Sequence, residues 1–174
     1  MPMAQPYRRA VYAALAVLAL TGLASCAMDS EQEVRALVGD WVTLDETAFF
    51  KSGMNCTAGV FKLETTRISS LVTHARSVRG GMDAMAEGKP VAFMISGLSP
   101  TLVSEQVMTA DLPKGLGVLS SGVAGKDCMD DGTKRSYLRA LLDPNAVLIF
   151  EPTEKFMAVV DRTNARLFFS RGNV

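Results

Sequence analysis

Residues 10–20 form an almost uninterrupted apolar run, preceded by Arg8 and Arg9 and followed by small residues up to Cys26. Basic, then apolar, then small is the order of a secretory signal. The run is eleven residues long, whereas a stable helix needs about 20 to cross a bilayer, so a permanent transmembrane span is disfavoured. A buried core helix does not normally follow paired arginines at an extreme N-terminus. The first 25 residues are therefore expected to be removed, and whatever folds must be built from the residues after them.

The tetrapeptide Leu23-Ala24-Ser25-Cys26 resembles the lipobox of bacterial lipoproteins, in which a leucine stands three residues before an obligatory cysteine. The resemblance covers the leader alone. It implies cleavage between Ser25 and Cys26, diacylglycerol on the Cys26 thiol and an acyl chain such as palmitate on the new amino group. Each buried methylene contributes about 0.8 kcal/mol, and a single chain binds only marginally, so several chains on one cysteine anchor the protein stably. In that family an aspartate directly after the cysteine tends to retain the protein at the inner membrane; here the residue is Ala27, with Asp29 two places later. The expectation is an outer-membrane lipoprotein facing the periplasm, with the inner membrane or the cell surface as alternatives. A tether over 26–30 would lead to one domain over 31–174.

Removing Arg8 and Arg9 leaves 16 basic against 18 acidic side chains, a formal charge near −2, and no basic patch suggests nucleic acid. The chain is 48% hydrophobic and shows no repeat or low-complexity tract, enough for a single domain with a real core. With Cys26 lipidated, Cys56 and Cys128 remain, and an oxidising periplasm would let them pair. Such a bridge would stabilise the fold by about 4 kcal/mol on the chain-entropy model. The alternative, a redox or metal-binding pair, lacks C-x-x-C spacing and a second histidine.

Ser30 followed by Glu33 predicts a capping box, and Val34, Leu37, Val38 and Trp41 recur at helical spacing. A short helix ending near Gly39 should lead into a strand from Trp41, with a second strand over 57–63. Ile68, Leu71, Val72, Ala75, Val78, Met82 and Met85 predict the longest helix, kinked or broken at Gly80-Gly81. Residues 91–95 read as a strand buried on both faces, and Ser99-Pro100 as a cap opening a helix over 101–109, with a strand as the alternative there. A Gly- and Ser-rich stretch over 115–125 precedes a second helix signal over 133–142, stopped by Asp143-Pro144. Residues 146–150, 156–160 and 166–170 predict a three-stranded antiparallel meander. Together these give an α+β domain with a mainly antiparallel sheet and two to four helices.

Polar candidates for function are few. Asp127, Asp130 and Asp131 could begin a calcium loop, because hard cations need clustered oxygens. Asp127, Asp131 and Gly132 fit positions one, five and six of an EF-hand, but position three is Met129 and position twelve is Leu138. A solvated loop placing its acids at a helix N-terminus is the simpler reading. His74 could act as a base beside Arg76 and Arg79, although neither arginine shares its helical face. Ser120 and Ser121 do not form G-x-S-x-G. No cofactor signature stands out, and no catalytic constellation is identifiable.

Gly39-Asp40-Trp41 after a short helix resembles the opening of lipocalins. That resemblance implies an eight-stranded barrel closed at its base by Trp41 and holding an apolar ligand, for which the helices predicted in the middle leave too few strands. Trp41 with the closing run from Ala165 to Arg171 is also similar to the small periplasmic inhibitors of secreted metalloproteases, which implies a free N-terminal segment entering the protease. The reading carried forward is a lipid-anchored domain that binds or scaffolds an envelope protein or component. A lipocalin-like carrier and a periplasmic protease inhibitor are the alternatives.

Overall fold

The computed structural model describes residues 28–172; the expected leader and Cys26 lie outside them. The elements run α1 (Glu31–Gly39), β1 (Leu44–Ser52), β2 (Cys56–Leu63), β3 (Thr73–Ala75), α2 (Val78–Ala86), β4 (Val91–Phe93), α3 (Pro100–Ala110), α4 (Leu112–Lys126), α5 (Asp131–Leu142), β5 (Val147–Glu151), β6 (Phe156–Asp161) and β7 (Arg166–Gly172). This is the α+β domain with a mainly antiparallel sheet that the pattern predicted.

Seven strands form one open sheet in the order β1-β2-β7-β6-β5-β4-β3. Every pair is antiparallel except β3 with β4, which α2 connects. Strands β5, β6 and β7 make the expected meander, in register from Val147↔Val160 to Asp161↔Arg166. Their residues run apolar rather than alternating because both faces of the sheet are covered. Leu148, Phe150, Met157, Val159 and Phe168 pack with α2–α5. Val147, Ile149, Phe156, Val160 and Phe169 pack on the other side, with Val34 and Val38 of α1 and with Trp41, Ile68 and Val72.

Helix α1 carries the full capping box: the Ser30 hydroxyl accepts from the Glu33 amide at 3.2 Å, and the Glu33 carboxylate accepts from the Ser30 amide at 2.7 Å. Trp41 lies in the turn after it, three residues before the first strand, with its amide donating to the Val38 carbonyl.

Two expectations are corrected. The helix predicted from Ile68 does not form. Thr73–Ala75 is an edge strand paired with Val91–Phe93, and the helix starts only at Val78 behind the Ser77 cap. The apolar positions that suggested one stripe belong to opposite sides of the sheet, Ile68 and Val72 on the α1 side, Ala75 and Met85 on the other. The Gly- and Ser-rich stretch is helix α4, which raises the helix count to five among the described residues. Its small residues are the price of close packing: a methyl on Gly115 would stand 2.2 Å from the Met108 Cα, and one on Gly125 would stand 1.9 Å from the Ser170 Oγ. Asp29 and Ser30, the last two residues of the expected tether, are held against the domain. Asp29 accepts from Arg171 at 2.5 Å and from the Thr57 hydroxyl at 2.7 Å.

Candidate functional site

Helices α3, α4 and α5 follow one another almost without a break, because each start is capped by a side chain. Ser99 accepts from the Leu102 amide ahead of Pro100, Asp111 from the Lys114 amide, and Asp130 from the Thr133 amide at 2.7 Å. Asp111 is also the residue that ends α3, so the chain turns from α3 into α4 at a single position. Two of these capping carboxyls are held below their ordinary range. For Asp111 the Lys114 ammonium is the main cause, and for Asp130 the Thr133 amide.

Helix α4 uses its small residues inward: Gly115, Val118, Ser121, Gly122 and Gly125 are buried. The bulky ones face out. Leu112, Leu116, Leu119 and Val123 follow each other at spacings of four, three and four, and all are 40–57% exposed. Helix α4 packs its small residues against the sheet and α3 and leaves its large apolar side chains on the outer face.

Beside this stripe lies a groove of about 260 Å³ between α3, α4 and α5. Met108, Leu119, Val123, Leu138 and Leu141 form its walls, with Gly122, Tyr137 and Met157 beneath and Glu105 and Lys126 also lining it. The polar groups under the groove are tied to backbone. Tyr137 donates to the Gly122 carbonyl at 3.4 Å, Ser170 to the Ser121 carbonyl at 2.6 Å, and Ser121 to the Gly117 carbonyl at 3.0 Å. Burial pushes the Tyr137 phenol well above its ordinary pKa. These hydroxyls serve the fold, and the surface offered to a ligand is mainly apolar, with Glu105 and Lys126 among its lining.

The residues singled out from sequence are not brought together. Trp41 is buried and stacks on Phe156 with ring centroids 5.4 Å apart, a core role. His74 is exposed on edge strand β3, not on a helix, with Nε2 3.0 Å from the Ser69 carbonyl. Asp127 ends α4 and Asp131 opens α5, both exposed, next to Cys128. The Cys56–Cys128 disulfide, with Cα atoms 5.8 Å apart, fixes that linker to β2, five strand positions from β3. His74 and the acidic loop therefore sit at opposite sides of the sheet.

The stripe on α4 is what sequence reading missed. Its spacing is legible in residues 112–123, but Gly115, Gly117, Ser120, Ser121 and Gly122 between the bulky positions read as a loop. Among the described residues, no three His, Cys, Asp or Glu side chains are grouped to hold a metal ion. No helix among them is long and apolar enough to cross a membrane. No family model matches the chain, and neither the curated proteins nor the solved structures provide a match.

Proposed function

We propose that the protein is a periplasmic lipoprotein, anchored to the outer membrane by acyl chains on Cys26, whose domain binds an envelope protein through the apolar face of α3–α5 without catalysing a reaction. The observation that carries the binding role is the exposed stripe Leu112, Leu116, Leu119 and Val123 continuing into the groove. Contiguous exposed apolar surface on a folded domain marks an interaction site. A groove walled by helices with leucines at helical spacing suits an amphipathic helix laid against it. A compact apolar ligand is less well served. The groove is smaller than the roughly 300–1,000 Å³ usual for such ligands, and Leu112 and Leu116 lie outside its lining. The lipocalin barrel has no counterpart in the open seven-stranded sheet.

The order of the leader and the tetrapeptide ending at Cys26 support the anchor. The Cys56–Cys128 disulfide agrees with an oxidising compartment. Two measurements test the reading. Mass spectrometry and membrane fractionation of Cys26→Ser in a bacterial host should show loss of the acyl mass and of membrane partition, and unchanged values would refute the anchor. A photo-crosslinking residue at position 123 should give one defined adduct with an envelope protein that Leu119→Asp abolishes. Adducts no different from those at the exposed Arg162 would refute the binding face.

A further inference from the structure

The point where the chain leaves the domain is fixed by a tight set of contacts. The Asp29 carboxylate accepts from the Arg171 guanidinium and the Thr57 hydroxyl. Arg171 lies over the rings of Phe156 and Phe169, at 5.4 and 5.7 Å from their centroids. Ser30 then starts α1 directly. Cys26 precedes Asp29 by three residues, which reach at most about 11 Å when fully extended. A lipid on Cys26 therefore leaves the domain almost no slack.

The register shows what surrounds this exit. Thr57, Arg171 and Phe156 form one row across β2, β7 and β6. Just beyond that row lie the β1–β2 turn at 53–55 and the β5–β6 turn at 152–155. Helix α4 runs along the same end, with the Ser121 hydroxyl 3.2 Å from the Lys155 carbonyl and Gly125 against Ser170. Two methionines are exposed here, Met54 at the tip of its turn, by 84%, and Met28 next to Asp29. Lys51 and Lys155 are exposed beside the same two turns, and the exposed carboxylate of the second turn, Glu154, is paired with Arg171 at 3.4 Å.

From this arrangement we infer that the turn at 53–55, the turn at 152–155 and Met28 form a membrane-seating surface that rests on the phospholipid bilayer holding the anchor. The inference builds on the lipoprotein reading of Cys26. A short, clamped exit selects this end of the domain over the other. Flexible apolar methionine side chains can enter the headgroup boundary while lysines meet anionic phosphates. The β6–β7 turn then points away, separated by the length of β6, about 17 Å.

The test uses the acylated full domain in vesicles of dibrominated phosphatidylcholine with phosphatidylglycerol. Tryptophan is placed by Met54→Trp or Asn55→Trp, both exposed positions, and by Arg162→Trp at the opposite end. Emission of the parent, which has only the buried Trp41, is subtracted. The expected result is strong quenching at positions 54 and 55 and none at 162. Equal emission at all three positions in protein that carries acyl mass and stays with the vesicles would overturn the seating surface while leaving the anchor intact. Protein without acyl mass that stays in solution would overturn the anchor itself, and the seating with it.

Discussion

Gly125 of α4 faces Ser170 of β7 so closely that a methyl group on the glycine would lie 1.9 Å from the serine Oγ and 2.9 Å from its Cα. The backbone of β7 cannot yield without disturbing its ladders to β2 and β6. Gly125→Ala is expected to lower stability by about 1–3 kcal/mol through overpacking, although alanine is the better helix former by about 1 kcal/mol. Gly39→Ala, where nothing lies within 4 Å, should be neutral or mildly stabilising. Urea unfolding of both variants checks the contrast.

The bridge between Cys56 and Cys128 spans 72 residues of sequence. Replacing both cysteines by serine should cost about 4 kcal/mol on the loop-entropy model. Guanidinium titrations with and without reductant should show the same drop for the parent protein, and a midpoint insensitive to reductant would mean that the bond does not form.

Asp29→Ala removes the acceptor shared by Arg171 and Thr57, leaving Arg171 with Glu154 at 3.4 Å. A loss of about 1–2 kcal/mol is expected. Amide exchange should quicken in the first turn of α1, and exchange as slow as in the parent would show that the capping box alone holds the helix start.

Leu116→Ser combined with Val123→Ser alters side chains that are about half exposed. Stability should stay within about 0.5 kcal/mol of the parent, while binding of an apolar dye such as anilinonaphthalene sulfonate should fall. Unchanged dye fluorescence would locate the accessible apolar surface elsewhere.

Four surface carboxyls sit below their ordinary values of 4.5 for Glu33 and 3.8 for Asp111, Asp130 and Asp143. The leading causes are the Ser30 amide, the Lys114 ammonium, the Thr133 amide and the Asn145 amide, in that order. Because the folded state binds their protons less readily than the unfolded state, they stabilise the protein fully above the ordinary values. That contribution disappears as the pH falls through the depressed ones. Thermal melts should be insensitive to these groups above about pH 5 and fall below about pH 4, and Asp130→Asn should reduce the acid-side slope.

Where local rules and tertiary demands agreed, the fold was legible. The Ser30 and Ser99 caps and the 133–142 helix could be read directly, and so could the meander, whose strands are continuous apolar runs between clear turns. Cys56 and Cys128 could be paired by counting. Reading failed where two cores contributed to one apparent period: Ile68, Val72, Ala75 and Met85 mimic a helix because the chain crosses from one side of the sheet to the other between them. It failed again in α4, where glycine and serine were read through their poor helix propensity although contacts with Met108 and Ser170 require them. The candidate site depended on that same helix. His74, Asp127 and Asp131 attracted attention through their chemistry alone, and five strand positions separate the edge strand of one from the linker of the others.

The last strand of the described chain, β7, lies between β2 and β6. Without it the remaining strands fall into two groups, β1–β2 and β3–β6, with no ladder joining them. An emerging chain therefore holds two raw edges, on β2 and β6, until residues 166–172 arrive, and each is a template for pairing with another molecule. Truncation before residue 166 would leave halves that cannot meet, however well each is formed. Completion of the sheet thus depends on synthesis through β7, and a chain clipped before it exposes itself to proteases and chaperones by failing to close.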